Sequence, residues 1–243
     1  MQRKSVIVAA KRTPVGAFQG HLSSISSPDL AAVAIKHILG EIRIQPDQID
    51  EIILGNVLTA GQGQAPARQA ALNSGCPNSV EALTINKMCG SGLKAVMLAD
   101  QAIRCGDADT VLAGGMESMS NAPYLLKNAR GGQRLGHGTM IDSMIHDGLW
   151  DVYSNKHMGT CAEMLAADRH YSREAQDAYA IESYRRAQDA QAKGVFKSEI
   201  VPVEVPQRKG DPVIIEEDEE PGKAQFDKIP NLRPVFEKDG TIT

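Results

Sequence analysis

Short apolar runs alternate with longer amphipathic stretches through the first half of the chain, and the alternation predicts strands and helices in turn. KSVIVAA (4–10) is a β-branched run of the kind buried in a sheet. Ser27-Pro28-Asp29 opens a helix, with a capping hydroxyl, a proline in the first turn and a carboxylate near the positive end of the dipole. That helix carries LAAVAIKHIL and is expected to stop at Gly40. EIILGNVL (51–58) is a second strand, and Pro66 opens a helix through ARQAALNS to Gly75. VEALTINK (80–87), SGLKAVMLADQAIRC (91–105) and ADTVLAG (108–114) repeat the strand–helix–strand order. Strands alternating with helices of this length indicate βαβ units around a parallel sheet.

After Gly115 the texture changes. MESMSNAPYLLKNARGGQRLGHGTM has no clear periodicity and reads as extended loop. A helix is expected over 157–171, and Ser172 caps a long second one with Glu174 in its first turn and Gly194 past its end. EIVPVEVP (199–206) and PVIIEED (212–218) form a hairpin about QRKGD. Residues 1–117 are therefore expected to form an α/β half-domain, and residues 118–243 an irregular insertion of helices plus a hairpin.

Composition narrows the classes. Among 243 residues there are 26 basic and 30 acidic side chains, a net charge of −4, which is not the basic footprint of a nucleic-acid binder. No apolar run approaches the ~20 residues of a membrane span, and the first apolar stretch is short for a secretory signal. A cytoplasmic protein, without membrane or nucleic-acid partners, is the expectation. Aromatic residues make up only 4% of the chain, so the core must be aliphatic. No two of Cys76, Cys89, Cys105 and Cys161 have Cys-x-x-Cys spacing, so they read as reduced thiols. Three of them read as small buried apolar residues.

Cys89 is different. In INKMCGSGLKAV it follows a strand and precedes a helix whose first turn is Gly-Ser-Gly. Unpaired backbone N–H groups and the positive end of the dipole favour a thiolate there. Gly90 and Gly92 leave room for a carbonyl, and the Cys89 N–H is a candidate oxyanion donor. The residues alone fit a nucleophile and a packed core cysteine equally. Ser91-x-x-Lys94 matches a nucleophile motif of penicillin-binding proteins, but Ser-Asp-Asn and Lys-Thr-Gly are absent, so the match is fortuitous. No Gly-x-Gly-x-x-Gly opens a helix, so a dinucleotide site is not supported.

Six segments together resemble the thiolases. They are KRTPVGAF (11–18), GQGQAPARQAAL (61–72), NKMCGSGLKAV (86–96), AGGMESMSNAPY (113–124), DGLWDVYSNKHMGT (147–160) and LRPVFEKDGTIT (232–243). The likeness is greatest to acetyl-CoA C-acetyltransferases. It implies one half of a layered α-β-α-β-α architecture, with a CoA-binding loop domain inserted. It implies condensation of two acetyl-CoA to acetoacetyl-CoA and CoA, reversibly, through an S-acetyl-Cys89 intermediate. Leu149, His157 and Met158 match positions lining the pantetheine and acyl pocket, although His157 by itself reads as a satisfied, partly buried histidine. ESYRRAQ and EDEEPGKAQFDK resemble the potassium-responsive members, which implies Tyr184 beside the ion and Lys223, Ala224, Gln225 and Lys228 at the CoA nucleotide end. Pro221, Gly222 and Lys223 depart from that pattern, with Lys223 standing for an arginine as a point charge. No tightly bound cofactor is implied. Residues 125–138 match the loop through which the family forms homotetramers.

The family's Gly-His-Pro and Cys-x-Gly-Gly-Gly motifs, which supply the histidine and second cysteine of its acid–base chemistry, do not occur in these residues. The expectation is an N-terminal thiolase half with its loop domain, without turnover by itself. The alternatives are a degradative 3-ketoacyl-CoA thiolase, a non-catalytic CoA-binding or interaction module, and another cysteine acyltransferase using His157 as base.

Overall fold

A computed structural model describes residues 3–243. Its centre is β1 (Glu51–Gly55), four of whose five residues are buried. β2 (Glu81–Ile85) and β3 (Val111–Gly115) flank β1 in the order β2-β1-β3, both parallel to it. Glu51 stands level with Glu81 and Val111, and Gly55 with Ile85 and Gly115. Alternation sends Ile52 and Leu54 to one face, where α1 (Ser27–Ile42) and α2 (Pro66–Asn73) close the main core. Ile35 and Leu39 of α1, Ala67, Ala70 and Ala71 of α2, and Val80 complete that cluster. Gly55 turns to the other face, toward α3 (Ser91–Cys105). The chain is thus an α/β fold with helices on both faces of a parallel sheet.

α3 buries Ser91, Ala95 and Ala99, a stripe of small residues four apart that lets it lie close to the sheet. Its opposite face leaves Leu93, Val96 and Met97 exposed. α1 differs from expectation at both ends. Its cap is Ser26, whose hydroxyl accepts from the Asp29 N–H, and Gly40 lies inside the helix, which runs on to an αL residue at Arg43. A Lys11–Glu41 ion pair of 2.6 Å holds the last turn in place, outweighing a mid-helix glycine.

Residues 4–10 do not form the expected strand. The backbone is extended, but it joins no sheet, and Val6, Ile7 and Val8 are 71–82% exposed. β-branched residues make a chain extended, but a strand also needs its backbone in register with a sheet edge, and this segment pairs with neither outer edge of the β2-β1-β3 sheet. Side-chain tethers from Arg3 to Asp109 and from Ser5 to Asp100 hold the segment instead. Backbone pairing begins only at Arg12, whose N–H donates to Glu199 O and whose carbonyl accepts from the Val201 N–H. The cysteines also depart from expectation: Cys76 alone is fully buried, Cys161 is half-buried, and Cys105 is exposed at the end of α3.

Past Met116 the chain makes two small antiparallel pairs. β4 (Tyr124–Leu125) joins β5 (Ile141–Asp142), and β6 (Trp150–Asp151) joins β7 (Lys156–His157). A π-helical turn over Met144–Leu149 links them. α4 (Met158–Asp168) and α5 (Arg173–Ala192) follow, α5 capped by Ser172 as expected. The hairpin of β8 (Val203–Val205) and β9 (Val213–Ile215) packs Val203, Val205 and Ile215 against Leu22, Leu30 and Val33. Just beyond it, Asp218 takes a two-point ion pair from Arg12 and a hydrogen bond from the Val15 N–H. Burial opposes its charge, but Arg12 and Val15 outweigh that and hold its pKa below the usual carboxylate range.

Candidate active site

All three strands of the sheet deliver their carboxyl ends to one place, which is where parallel α/β sheets bind ligands. Asn56 follows β1, Cys89 lies four residues beyond β2, and Met116 and Glu117 follow β3. The turn that carries Cys89 is closed on itself. Met88 adopts a left-handed conformation at φ 49°, uncommon for a residue with a side chain, and the side-chain Oδ1 of Asn86 accepts from its N–H at 2.9 Å. The buried Ser91 hydroxyl accepts from the Lys87 N–H at 2.8 Å and donates to Met88 O at 2.6 Å. Ser91 is therefore part of the scaffold and is not poised as a nucleophile.

Cys89 sits exposed at the tip of this turn, with a free thiol. Among the described residues, none accepts from the backbone N–H of Cys89, Gly92 or Leu93. These donors at the start of α3 remain free for an anion or a developing oxyanion. The position of α3 depends on close backbone approach. A methyl on Gly55 would lie 2.8 Å from Gly92 N, and one on Gly115 would lie 3.3 Å from Gly92 Cα.

Cys89 opens into a cavity of about 390 Å³. Met88, Met116, Met119, Met144 and Leu149 give it an apolar, adaptable wall. Besides Ser91 of the turn, two polar side chains join them. Asn56, 1% exposed, donates from Nδ2 to Glu117 Oε1 at 2.7 Å and to Met116 O at 3.3 Å. Glu117 also accepts from the N–H groups of Val57, at 2.9 Å, and Leu58, at 3.3 Å. No histidine lines the cavity among the described residues.

Leu149 is the one residue of the Leu149, His157 and Met158 set found in that lining. His157 caps α4 instead: its Nδ1 accepts from the Gly159 N–H at 2.9 Å, which leaves the ring proton on Nε2. Its ring stacks on Phe236, with centroids 5.0 Å apart. Met158 begins α4, partly exposed.

Tyr184, Lys223, Ala224, Gln225 and Lys228 do come together, all lining a second cavity of about 540 Å³ whose far wall is Thr241–Thr243. Lys223 reaches Glu219 at 2.7 Å. That hydrogen bond, with those from the Ala17 and His21 N–H groups, lowers the Glu219 pKa to about 2. The neighbouring wall is fastened by Glu163 of α4, a buried carboxylate that accepts from the Thr241 and Ile242 N–H groups at 2.8 to 2.9 Å. Burial acts against its charge, but these bonds prevail and its pKa is lowered. No group of three His, Cys, Asp or Glu side chains that could hold a metal occurs among the described residues.

Asn56, Glu117 and Glu163 escaped the sequence reading. For the first two a signal existed, since polar residues just past the carboxyl ends of parallel strands are placed to face a ligand.

The amino-terminal domain model of the thiolases matches residues 5–243. The chain belongs to the thiolase family. This thiolase chain is 51% identical, over its whole length, to an acetyl-CoA acetyltransferase of Allochromatium vinosum. It is 52% and 53% identical, over 98% of its length, to proteins of the same name from Pseudomonas aeruginosa and Cupriavidus necator. It spans 61–62% of the length of these curated relatives.

Proposed function

We propose that this thiolase chain carries the acyl-accepting centre of an acetyl-CoA acetyltransferase, with Cys89 as the nucleophile. The observation that carries the reading is the free Cys89 thiol at the mouth of an apolar cavity, beside uncommitted N–H groups at the start of a fifteen-residue helix. The Cys89 thiolate attacks the thioester carbonyl of acetyl-CoA, and the oxyanion that forms accepts a hydrogen bond from the Cys89 N–H. Collapse breaks the C–S bond to CoA, releasing CoA thiolate and leaving S-acetyl-Cys89. In the second half-reaction the methyl carbanion of another acetyl-CoA attacks that acetyl group, giving acetoacetyl-CoA and restoring the Cys89 thiolate.

The proton transfers require a base and an acid at the cavity. Glu117 is fully engaged with Asn56, Val57 and Leu58, and His157 is engaged at Nδ1 by the α4 cap. The described residues therefore support acylation of Cys89 but not steady-state condensation. The same facts weigh against His157 as the base of a different cysteine acyltransferase.

In this reading residues 1–117 hold the nucleophile and residues 118–243 hold CoA. Lys223 and Lys228 receive the phosphates of the nucleotide end in the second cavity, beside Tyr184, Ala224 and Gln225. His157 and Met158 border the pantetheine between the two sites. Residues 127–140, exposed throughout, overlap the loop proposed to join copies into a tetramer.

The test is incubation of the purified chain with acetyl-CoA. Release of free CoA, stoichiometric with protein and absent in Cys89→Ser, supports the reading. Equal release by Cys89→Ser contradicts it.

A further inference from the structure

The two lysines of the second cavity are not electrostatically alike. Lys223 lines that cavity and, alone among its lining, also lines a neighbouring one of about 640 Å³ beside His21 and Gln188. Glu219 lines only the neighbouring cavity, and it draws the ammonium that way: its Oε1 lies 2.7 Å from Lys223 Nζ, with Glu220 Oε1 at 3.6 Å. Glu219 is held in place. Its side chain is 8% exposed, and Oε2 accepts from the Ala17 N–H at 3.0 Å and the His21 N–H at 3.1 Å. A methyl on Gly20 would overlap this carboxylate, so the glycine is what admits it. One oxygen is thus spent on backbone and the other is presented to Lys223, whose pKa that bond raises. Lys228 differs: it is exposed, and no carboxylate lies within ion-pair distance of it among the described residues. Asp177, on the same wall, is occupied by Arg173, whose Nε reaches both of its oxygens at 2.8 Å.

We infer that Glu219 sets the affinity of the nucleotide-end cavity, withholding Lys223 from the ligand's phosphates and leaving Lys228 as the cation that recognises them. The inference rests on the second cavity receiving the nucleotide end of CoA. An ammonium paired at contact with a carboxylate presents a dipole to a third ion, and the field of a dipole falls off faster than that of a charge. A phosphate gains Lys223 in full only by breaking that pair, which leaves one oxygen of a buried carboxylate unpaired. The cavity therefore offers an anion one full charge rather than two.

The experiment is calorimetric titration with adenosine 3′,5′-bisphosphate, with adenosine as the phosphate-free control. Lys228→Met should weaken bisphosphate binding about tenfold or more, and Lys223→Met about threefold or less. Both positions are exposed, so this comparison disturbs no buried group. Glu219→Gln should tighten bisphosphate binding by about three- to tenfold, because Lys223 is released to the phosphates. Lys223→Met should then cost more in the Glu219→Gln background than in the unaltered chain, a coupling that simple repulsion between Glu219 and the ligand would not produce. Adenosine should bind all variants alike. A loss at Lys223 equal to or greater than that at Lys228 overturns the inference, as do weaker binding by Glu219→Gln and strictly additive effects of the two substitutions. Bisphosphate binding no tighter than adenosine binding by the unaltered chain instead overturns the placement of the nucleotide end in this cavity.

Discussion

Adding one methyl group at Gly55 tests how the sheet sets the height of the nucleophile. A Cβ there would lie 2.7 Å from the Ser91 carbonyl carbon and 2.8 Å from Gly92 N, both backbone atoms of the first turn of α3. Ordinary contact for such atoms is ~3.5 Å, so the turn must retreat by roughly 0.7 Å. The turn is internally braced through Ser91, so Cys89 moves with it. Overpacking of this kind costs ~1–3 kcal/mol. The control is Gly40→Ala, since a methyl at Gly40 meets nothing within 4 Å and lies inside α1. That substitution should stabilise by up to ~1 kcal/mol. Urea unfolding gives both values, and the rate of Cys89 alkylation by iodoacetamide reports displacement of the thiol. Gly55→Ala should lose stability and change the alkylation rate, whereas Gly40→Ala should do neither. If the two variants behave alike, the close approach of β1 and α3 does not position Cys89.

Glu219 makes stability depend on acid. Its pKa is about 2 against an ordinary 4.5, so its stabilisation is complete above pH 4.5 and is lost as pH falls toward 2. Because Lys223, its main partner, is half-exposed, screening reduces the effect to on the order of 1–2 kcal/mol; Glu219→Gln should flatten the stability profile between pH 5 and 2.5, and an unchanged profile would count against the clamp. Glu163→Ala leaves the Thr241 and Ile242 N–H groups without their acceptor at a cost of ~1–3 kcal/mol, and amide exchange at those two positions should accelerate. His157→Ala removes a helix cap worth ~1 kcal/mol, yet should leave the pH profile of Cys89 alkylation unmoved. A shifted profile would restore His157 as a base.

The local chemistry of the chain predicted most of its elements. The strand–helix order of 51–115, the start of α3 at Ser91, the Ser172 cap and the 203–215 hairpin all follow from patterns a few residues long. What escaped depends on partners far away in the chain. KSVIVAA is extended, as its β-branched residues favour, but whether it becomes a strand depends on backbone pairing with a distant edge, and it pairs with neither outer edge of the β2-β1-β3 sheet. Gly40 carries the usual sign of a helix end, yet the helix runs two residues further, where Glu41 is held by Lys11. Asn56 and Glu117 lie 61 positions apart, and only the parallel register of β1 and β3 brings them together. His157 illustrates the opposite case. Its resemblance to a pocket residue was legible, but its place as the α4 cap, stacked on Phe236, depends on a chain segment nearly eighty residues on.

Peptide mapping of the chain after exposure to acetyl-CoA shows whether Cys89 accepts the acyl group. With Cys89 as acyl acceptor, one acetyl group per chain is expected on the peptide containing Met88-Cys89-Gly90, removed again when free CoA is added. Acetylation confined to Cys105, Cys161 or the lysines, with Cys89 unmodified, would contradict it.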